Sequence, residues 1–208
     1  MSLIAKSSGN GDFELTPEGA YIARCIKVID MGTQTRTGQF GTKSKHEVMI
    51  SWELLDQEVK MKDGKPFAAS KFYTVSLAEK ANLRKDLEAW RGKKFTQEEL
   101  DGFDLKNILG TYCYVQVVHS EDGQYANINS IMSYKGDKPQ GVNDLMVFDM
   151  SNPDINVFNS FSDKMKEKIQ STPEWRERQK ALDQFTPDEV IEDIDDTPIN
   201  LDDIPFGK

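Results

Sequence analysis

The chain has 208 residues, 38% of them hydrophobic and 29% charged, enough for one ordinary domain with appendages. No run approaches the roughly 20 apolar residues that span a bilayer. The start, MSLIAKSSGNGDFELT, lacks the apolar stretch and cleavage pattern of a secretory leader, so the expectation is a cytoplasmic protein without a membrane anchor. The net charge of -9 is unevenly spread: residues 183–208 hold nine Asp and Glu against one Lys, and the rest of the chain holds 25 Lys and Arg against 26 Asp and Glu. A near-neutral body can carry a local basic groove, so the acidic total does not exclude an anionic ligand.

The first predicted element is a strand over Glu18 to Met31, rich in β-branched and aromatic residues and ending at Gly32. Thr33 to Lys45 (TQTRTGQFGTKSK) holds almost nothing apolar and is expected to form a solvated loop. Glu47 to Leu54 alternates, with Val48, Ile50, Trp52 and Leu54 on one face and Glu47, Met49, Ser51 and Glu53 on the other. That pattern predicts a half-buried second strand. Asp63-Gly64 signals a turn, and Ser70 to Leu77 supplies a third strand. Ala78 to Arg91 then sets Leu83, Leu87 and Trp90 on the stripe of an amphipathic helix stopped by Gly92. Thr96 with Glu99 is a capping box opening a second, short helix whose Leu100 joins the apolar layer. Strands resume at Thr111 to His119 and Tyr125 to Met132, joined through Asp122-Gly123. Cys25 and Cys113 stand alone in apolar strand-like runs, without metal-ligand spacing, and read as buried free thiols.

Three strands, a helix and two closing strands are the order of the five-stranded oligonucleotide-binding barrel, whose helix lies between strands three and four. A different α+β sheet with the same order is the alternative. The expected fold is therefore mainly β: an OB-type barrel over residues 1–134, an extension over 135–182, and a disordered acidic tail over 183–208. In the extension Leu145 to Phe148 suggests an edge strand, and Phe158, Phe161, Met165 and Ile169 have helical spacing. Thr172-Pro173-Glu174 reads as a cap followed by a first-turn proline. The tail's acidic runs and prolines show no period.

Candidate functional residues fall in three places. The basic stretch before the second strand carries Arg36, Lys43 and Lys45 around the lone aromatic Phe40, the residue types that hold single-stranded DNA through its phosphates and its unpaired bases. A merely solvated hairpin is the competing reading. On the third strand, if Val75 and Leu77 point inward, Phe72 and Thr74 point outward; Phe72, with Lys71 beside it, becomes a stacking candidate. The same alternation turns Tyr112 and Tyr114 outward, either onto bases or under the segment that follows Tyr134. Trp52 and Trp90 fall on apolar stripes and read as core. His46 and His119 are isolated, and no P-loop, G-x-G-x-x-G or nucleophile elbow occurs. Neither enzyme chemistry nor a cofactor is expected.

The third place is the end of the chain. Asp202-Asp203-Ile204-Pro205-Phe206, in its acidic C-terminal setting, resembles the tip of bacterial single-stranded DNA-binding proteins. With the barrel-like order over residues 18–134, the chain resembles a bacteriophage or prophage member of that family. The resemblance implies a barrel that binds single-stranded DNA in replication or recombination, in the host cytoplasm, and a tip that docks replication or recombination proteins. In the family the phenylalanine is terminal, whereas here Gly207 and Lys208 follow. Three alternatives follow from that departure: a different partner pocket, weaker docking, or a tail that competes with DNA for the groove. A structural or adaptor protein, whose barrel holds protein and whose tail only solubilises, is the rival reading of the whole chain, and RNA binding is a third.

Overall fold

The computed structural model describes residues 14–39 and 41–185. It is mainly β. Strand β1 (Gly19–Gly38) pairs antiparallel with β2 (Gly41–Leu54), and β2 with β3 (Ala68–Thr74). On its other side β1 pairs antiparallel with β4 (Tyr112–His119), which pairs with β5 (Ala126–Ser133). The order is β3-β2-β1-β4-β5. A sixth strand, β6 (Met146–Phe148), runs parallel to β1 at Lys27–Ile29, just past a bulge at Cys25/Lys27 where β4 pairing ends. β3 and β5, at opposite ends of this order, lie close to each other. No helix among the described residues is long and apolar enough to cross a membrane.

Helix α1 (Asn82–Arg91) packs against both β3 and β5, driven by the stripe Leu83, Leu87 and Trp90, and ends at Gly92 in the left-handed conformation. Trp90 meets Trp52 at 5.6 Å between ring centroids and donates its indole N–H to the Tyr112 carbonyl. Helix α2 (Gln97–Asp101) opens on the expected reciprocal capping box of Thr96 and Glu99, and Leu100 packs against the core. The core lies on the face of the sheet that carries Ala23, Cys25, Val48, Ile50, Trp52, Cys113, Val115 and Val117. Both cysteines are free and buried, and burial pushes the Cys25 thiol up to about 12 and raises that of Cys113.

Several expectations need correction. The stretch 33–45 is not a loop: β1 and β2 continue as a paired ribbon from Thr33↔His46 to Gly38↔Gly41, leaving two residues to connect them. Threonines supply the β preference that apolar residues supply elsewhere, and cross-strand hydroxyl pairs lock the register, Thr35 with Ser44 at 2.8 Å and Thr37 with Thr42 at 3.0 Å. Second, β2 is buried on both faces from Glu47 to Leu54. The outer face is covered by the C-terminal extension, helices α3 (Ile155–Asn159), α4 (Asp163–Gln170) and α5 (Pro173–Phe185). Ile29, Met31 and Met49 there form a second core with Phe148, Phe158, Phe161, Ile169 and Trp175, the last stacked on Phe158 at 4.3 Å. Val75, expected inward, is exposed because β3 stops at Thr74.

The extension is tied down by polar contacts as well. Gly32 sits at φ +64°, and a Cβ there would approach the Thr172 side chain to 2.9 Å, so the helix entry closes directly onto the β1 bulge. Thr172 accepts from the Trp175 N–H, as its place before Pro173 suggested. Glu174 accepts from the Thr33 N–H and hydroxyl. Burial opposes its ionisation, but those hydrogen bonds and nearby His46 hold the Glu174 carboxyl below its ordinary range. His46 lies 2.7 Å from Asp30 and 3.5 Å from Glu174, and His119 Nε2–H donates to the Thr16 carbonyl. α5 runs through Phe185, past the expected tail boundary at 183; the remainder of the tail, from 186, lies outside the described residues.

The tightest of these ties is at Glu53. Its carboxylate, 0% exposed, accepts from Arg24 Nε at 2.6 Å, from the Val142 and Asn143 N–H groups and from Asn143 Nδ2, while Arg24 also donates to the Asn143 carbonyl. Gly141 passes where a Cβ would lie 1.8 Å from Arg24 Cζ, so glycine makes room for the guanidinium. Removing one partner of such a buried pair costs roughly 3–5 kcal/mol, because the other charge is left uncompensated. Glu53→Ala should therefore lower the free energy of urea unfolding by about that amount. A variant within 0.5 kcal/mol of the parent would show that the strap formed by 139–143 does not depend on this carboxylate.

Candidate nucleic-acid interface

Strand alternation decides what the ribbon presents on each side. Gln34, Arg36, Lys43 and Lys45 share one face, and Thr33, Thr35, Thr37, Thr42, Ser44 and His46 the other, as the pairings Gln34↔Lys45, Arg36↔Lys43, Thr35↔Ser44 and Thr37↔Thr42 require. The cationic face continues along β2 through Glu47, Met49, Ser51 and Glu53, away from the main core. In β3, Thr74 lies opposite Glu47, Phe72 opposite Met49, and Ser70 opposite Ser51. Phe72 therefore stands on the same side as the cations.

These residues border one cleft of about 430 Å³, lined by Gln34, Arg36, Lys43, Lys45, Phe72 and Thr74 together with the ribbon tip. Phe72 is 46% exposed, an unusual state for a phenylalanine beside a buried methionine. Lys43 and Lys45 are exposed and have no ion-pair partner among the described residues, whereas Arg36 holds Glu47 at 2.8 Å. The Arg36 side chain is 71% exposed and that of Glu47 only 10%, so the outer edge of the guanidinium is open to a further anion while its inner edge keeps a nearly buried carboxylate paired.

The cleft thus brings together Arg36, Lys43, Lys45 and Phe72 from the sequence-derived candidates. Phe40 lies outside the described residues, as do Asp202, Asp203, Ile204, Pro205 and Phe206. Lys71 is not gathered into it. It has the inward parity of Ala69 and Tyr73, and its ammonium sits 2.8 Å from Asp86 of α1, which also accepts from the Tyr73 hydroxyl at 2.7 Å. Burial and Asp86 together push the Tyr73 phenol up, so it remains a donor.

Tyr112 and Tyr114 do point away from the main core, but on β4, which pairs with the other end of β1 at Gly19 to Arg24 and contributes nothing to the cleft lining. The strap 139–143 also packs against that outer face. Tyr112 is partly covered by it: the hydroxyl donates to the Pro139 carbonyl at 2.7 Å, and Lys138 lies over the ring. Tyr114, 37% exposed, meets Tyr134 edge to face at 4.9 Å and pairs across the strands with exposed Met132.

One neighbour of the Phe72 ring was not among the candidates. Lys168, exposed on α4, places Nζ 5.4 Å from the Phe72 ring centroid, and its carbonyl accepts from Gln34 Nε2. No local pattern could reveal it, because the contact exists only through docking of the extension on β2. The chemistry assembled here is a face of mobile cations bordering an exposed aromatic ring, suited to a ligand that carries spaced anions and flat apolar groups. The sequence matches no protein-family model and no curated protein.

Proposed function

We propose that the chain is a non-enzymatic, sequence-tolerant binder of single-stranded DNA, of the bacteriophage kind, acting in replication or recombination in the host cytoplasm. The observation that carries this reading is the convergence of the ribbon cations Arg36, Lys43 and Lys45 with Phe72 of β3 on one cleft. Cations on a rigid ribbon track phosphates, and the open ring stacks bases at about 1–3 kcal/mol each without discriminating among them. The OB-barrel reading is supported by the order of elements and by the approach of β3 to β5, with α1 packed against both where a rolled sheet would need its open end filled. The acidic tail, with Asp202 to Phe206, is the docking segment for replication or recombination proteins.

Binding of labelled oligo-dT across salt tests the cleft. Arg36→Ala, Lys43→Ala and Lys45→Ala combined should flatten the log–log salt dependence by up to about 2, at about 0.7 per phosphate contact on a single strand. Phe72→Ala should weaken binding about 5- to 150-fold, the equivalent of one lost stack, with the melting temperature unchanged because the exposed ring leaves no core cavity. Parental affinity and slope in both variants would remove the cleft from DNA binding.

The tail has its own test. Truncation after Phe185 leaves α5 whole and removes eight Asp and Glu with Lys208. It should raise affinity for oligo-dT at low salt, since a tethered polyanion competes with phosphates, and lose capture of replication or recombination proteins. Phe206→Ala should lose the capture alone, because an aromatic anchor serves a partner's pocket while competition depends on the carboxylates. A truncation that changes neither property would make the tail a solubilising appendage.

A further inference from the structure

We infer that the C-terminal extension is a wall of the DNA groove, and that Lys164 and Lys168 of α4 hold phosphates of the strand whose base stacks on Phe72. This rests on the single-stranded DNA reading and adds a binding element that the sequence assigned only to structural support. α4 is fixed in place by the stripe one residue round from these lysines, where Ile169 is fully buried and Met165 packs into the second core. Its C-terminal end is joined to the ribbon by Gln34, which donates to the Lys168 carbonyl at 3.2 Å. The helix therefore cannot swing away from the cleft without breaking the second core.

Lys164 and Lys168, both exposed, are one turn apart and lie along one stripe of the helix. The acidic residues Asp163 and Glu167 form the neighbouring stripe, one residue round. In the free protein Lys168 places its ammonium over the Phe72 ring, 5.4 Å from the centroid. A nucleotide carries a flat base and an anion a few ångströms apart, and Phe72 with Lys168 offers a partner for each. An incoming base takes the ring face; the ammonium, on a flexible four-carbon stem, moves aside onto the adjoining phosphate. Lys164 continues the cationic track one helical turn further along the wall.

The test uses the full chain with labelled oligo-dT titrated from 50 to 200 mM salt, comparing Lys164→Ala/Lys168→Ala with Lys93→Ala/Lys94→Ala. The latter pair removes the same charge beyond α1, away from the cleft. Loss of two phosphate contacts should make the log–log slope shallower by about 1.4, so the affinity deficit narrows about sevenfold over that salt range. The control should keep the parental slope, and both variants the parental melting temperature. A parental slope in the α4 variant, or an equal change in the control, overturns the role of α4 while leaving the cleft reading in place. Failure of the parent itself to bind oligo-dT at low salt overturns both.

Discussion

The structure depends on one long antiparallel pairing, β1 with β2 from Ala23↔Leu54 to Gly38↔Gly41, in which β1 bulges at Cys25/Lys27 and Asp30/Gly32 while β2 alternates without a break. Because side chains alternate strictly along a strand, this register assigns every residue of β2 to one of two sides. One side takes Val48, Ile50, Trp52 and Leu54 into the main core. The other takes Met49 into a second core, Glu53 into a buried ion pair, and Lys43 and Lys45 into the open cleft. A slip of one residue would send the lysines toward the main core and the tryptophan outward. The same constraint that builds the fold thus lines up the cations.

The second side of the ribbon explains why the extension belongs to the folded unit. Met31, Met49 and Ile29 would be an exposed apolar patch without α3, α4 and α5 over them. Covering that patch brings a lysine-bearing helix to the edge of the cleft, and the strap 139–143 fills the rest of the face through Arg24 and Glu53. What stays uncovered is the strip between α4 and the ribbon tip, where Phe72 is exposed. Under the proposed reading, this exposed ring is the surface on which an unpaired base stacks.

Much of this was legible in the sequence because it follows from local periodicity. The α1 stripe at Leu83, Leu87 and Trp90, the Thr96 and Glu99 capping box, the outward phase of Phe72 and the buried thiols all arise from spacing within one element. The ribbon was missed because Thr33 to Lys45 has no apolar face, the usual mark of a strand; its alternation is of hydroxyls with longer polar and cationic side chains, Thr35-Arg36-Thr37 against Lys43-Ser44-Lys45. Such a strand is held by its partner and by cross-strand hydroxyl pairs rather than by a core. The double burial of β2, the capture of Lys71 by Asp86 and the arrival of Lys168 at Phe72 are tertiary facts, set by which helix docks where. No periodicity within a strand contains them.

The central claim is that the cleft between the ribbon and β3 takes a single strand whose bases are free to stack. It is tested most directly by titrating the unmodified chain with labelled oligo-dT and with a duplex of equal length at several salt concentrations. The account predicts that the single strand binds more tightly at every salt concentration, with log affinity falling linearly against log salt as counterions are recaptured. A preference for the duplex, or no binding of oligo-dT at low salt, would contradict it.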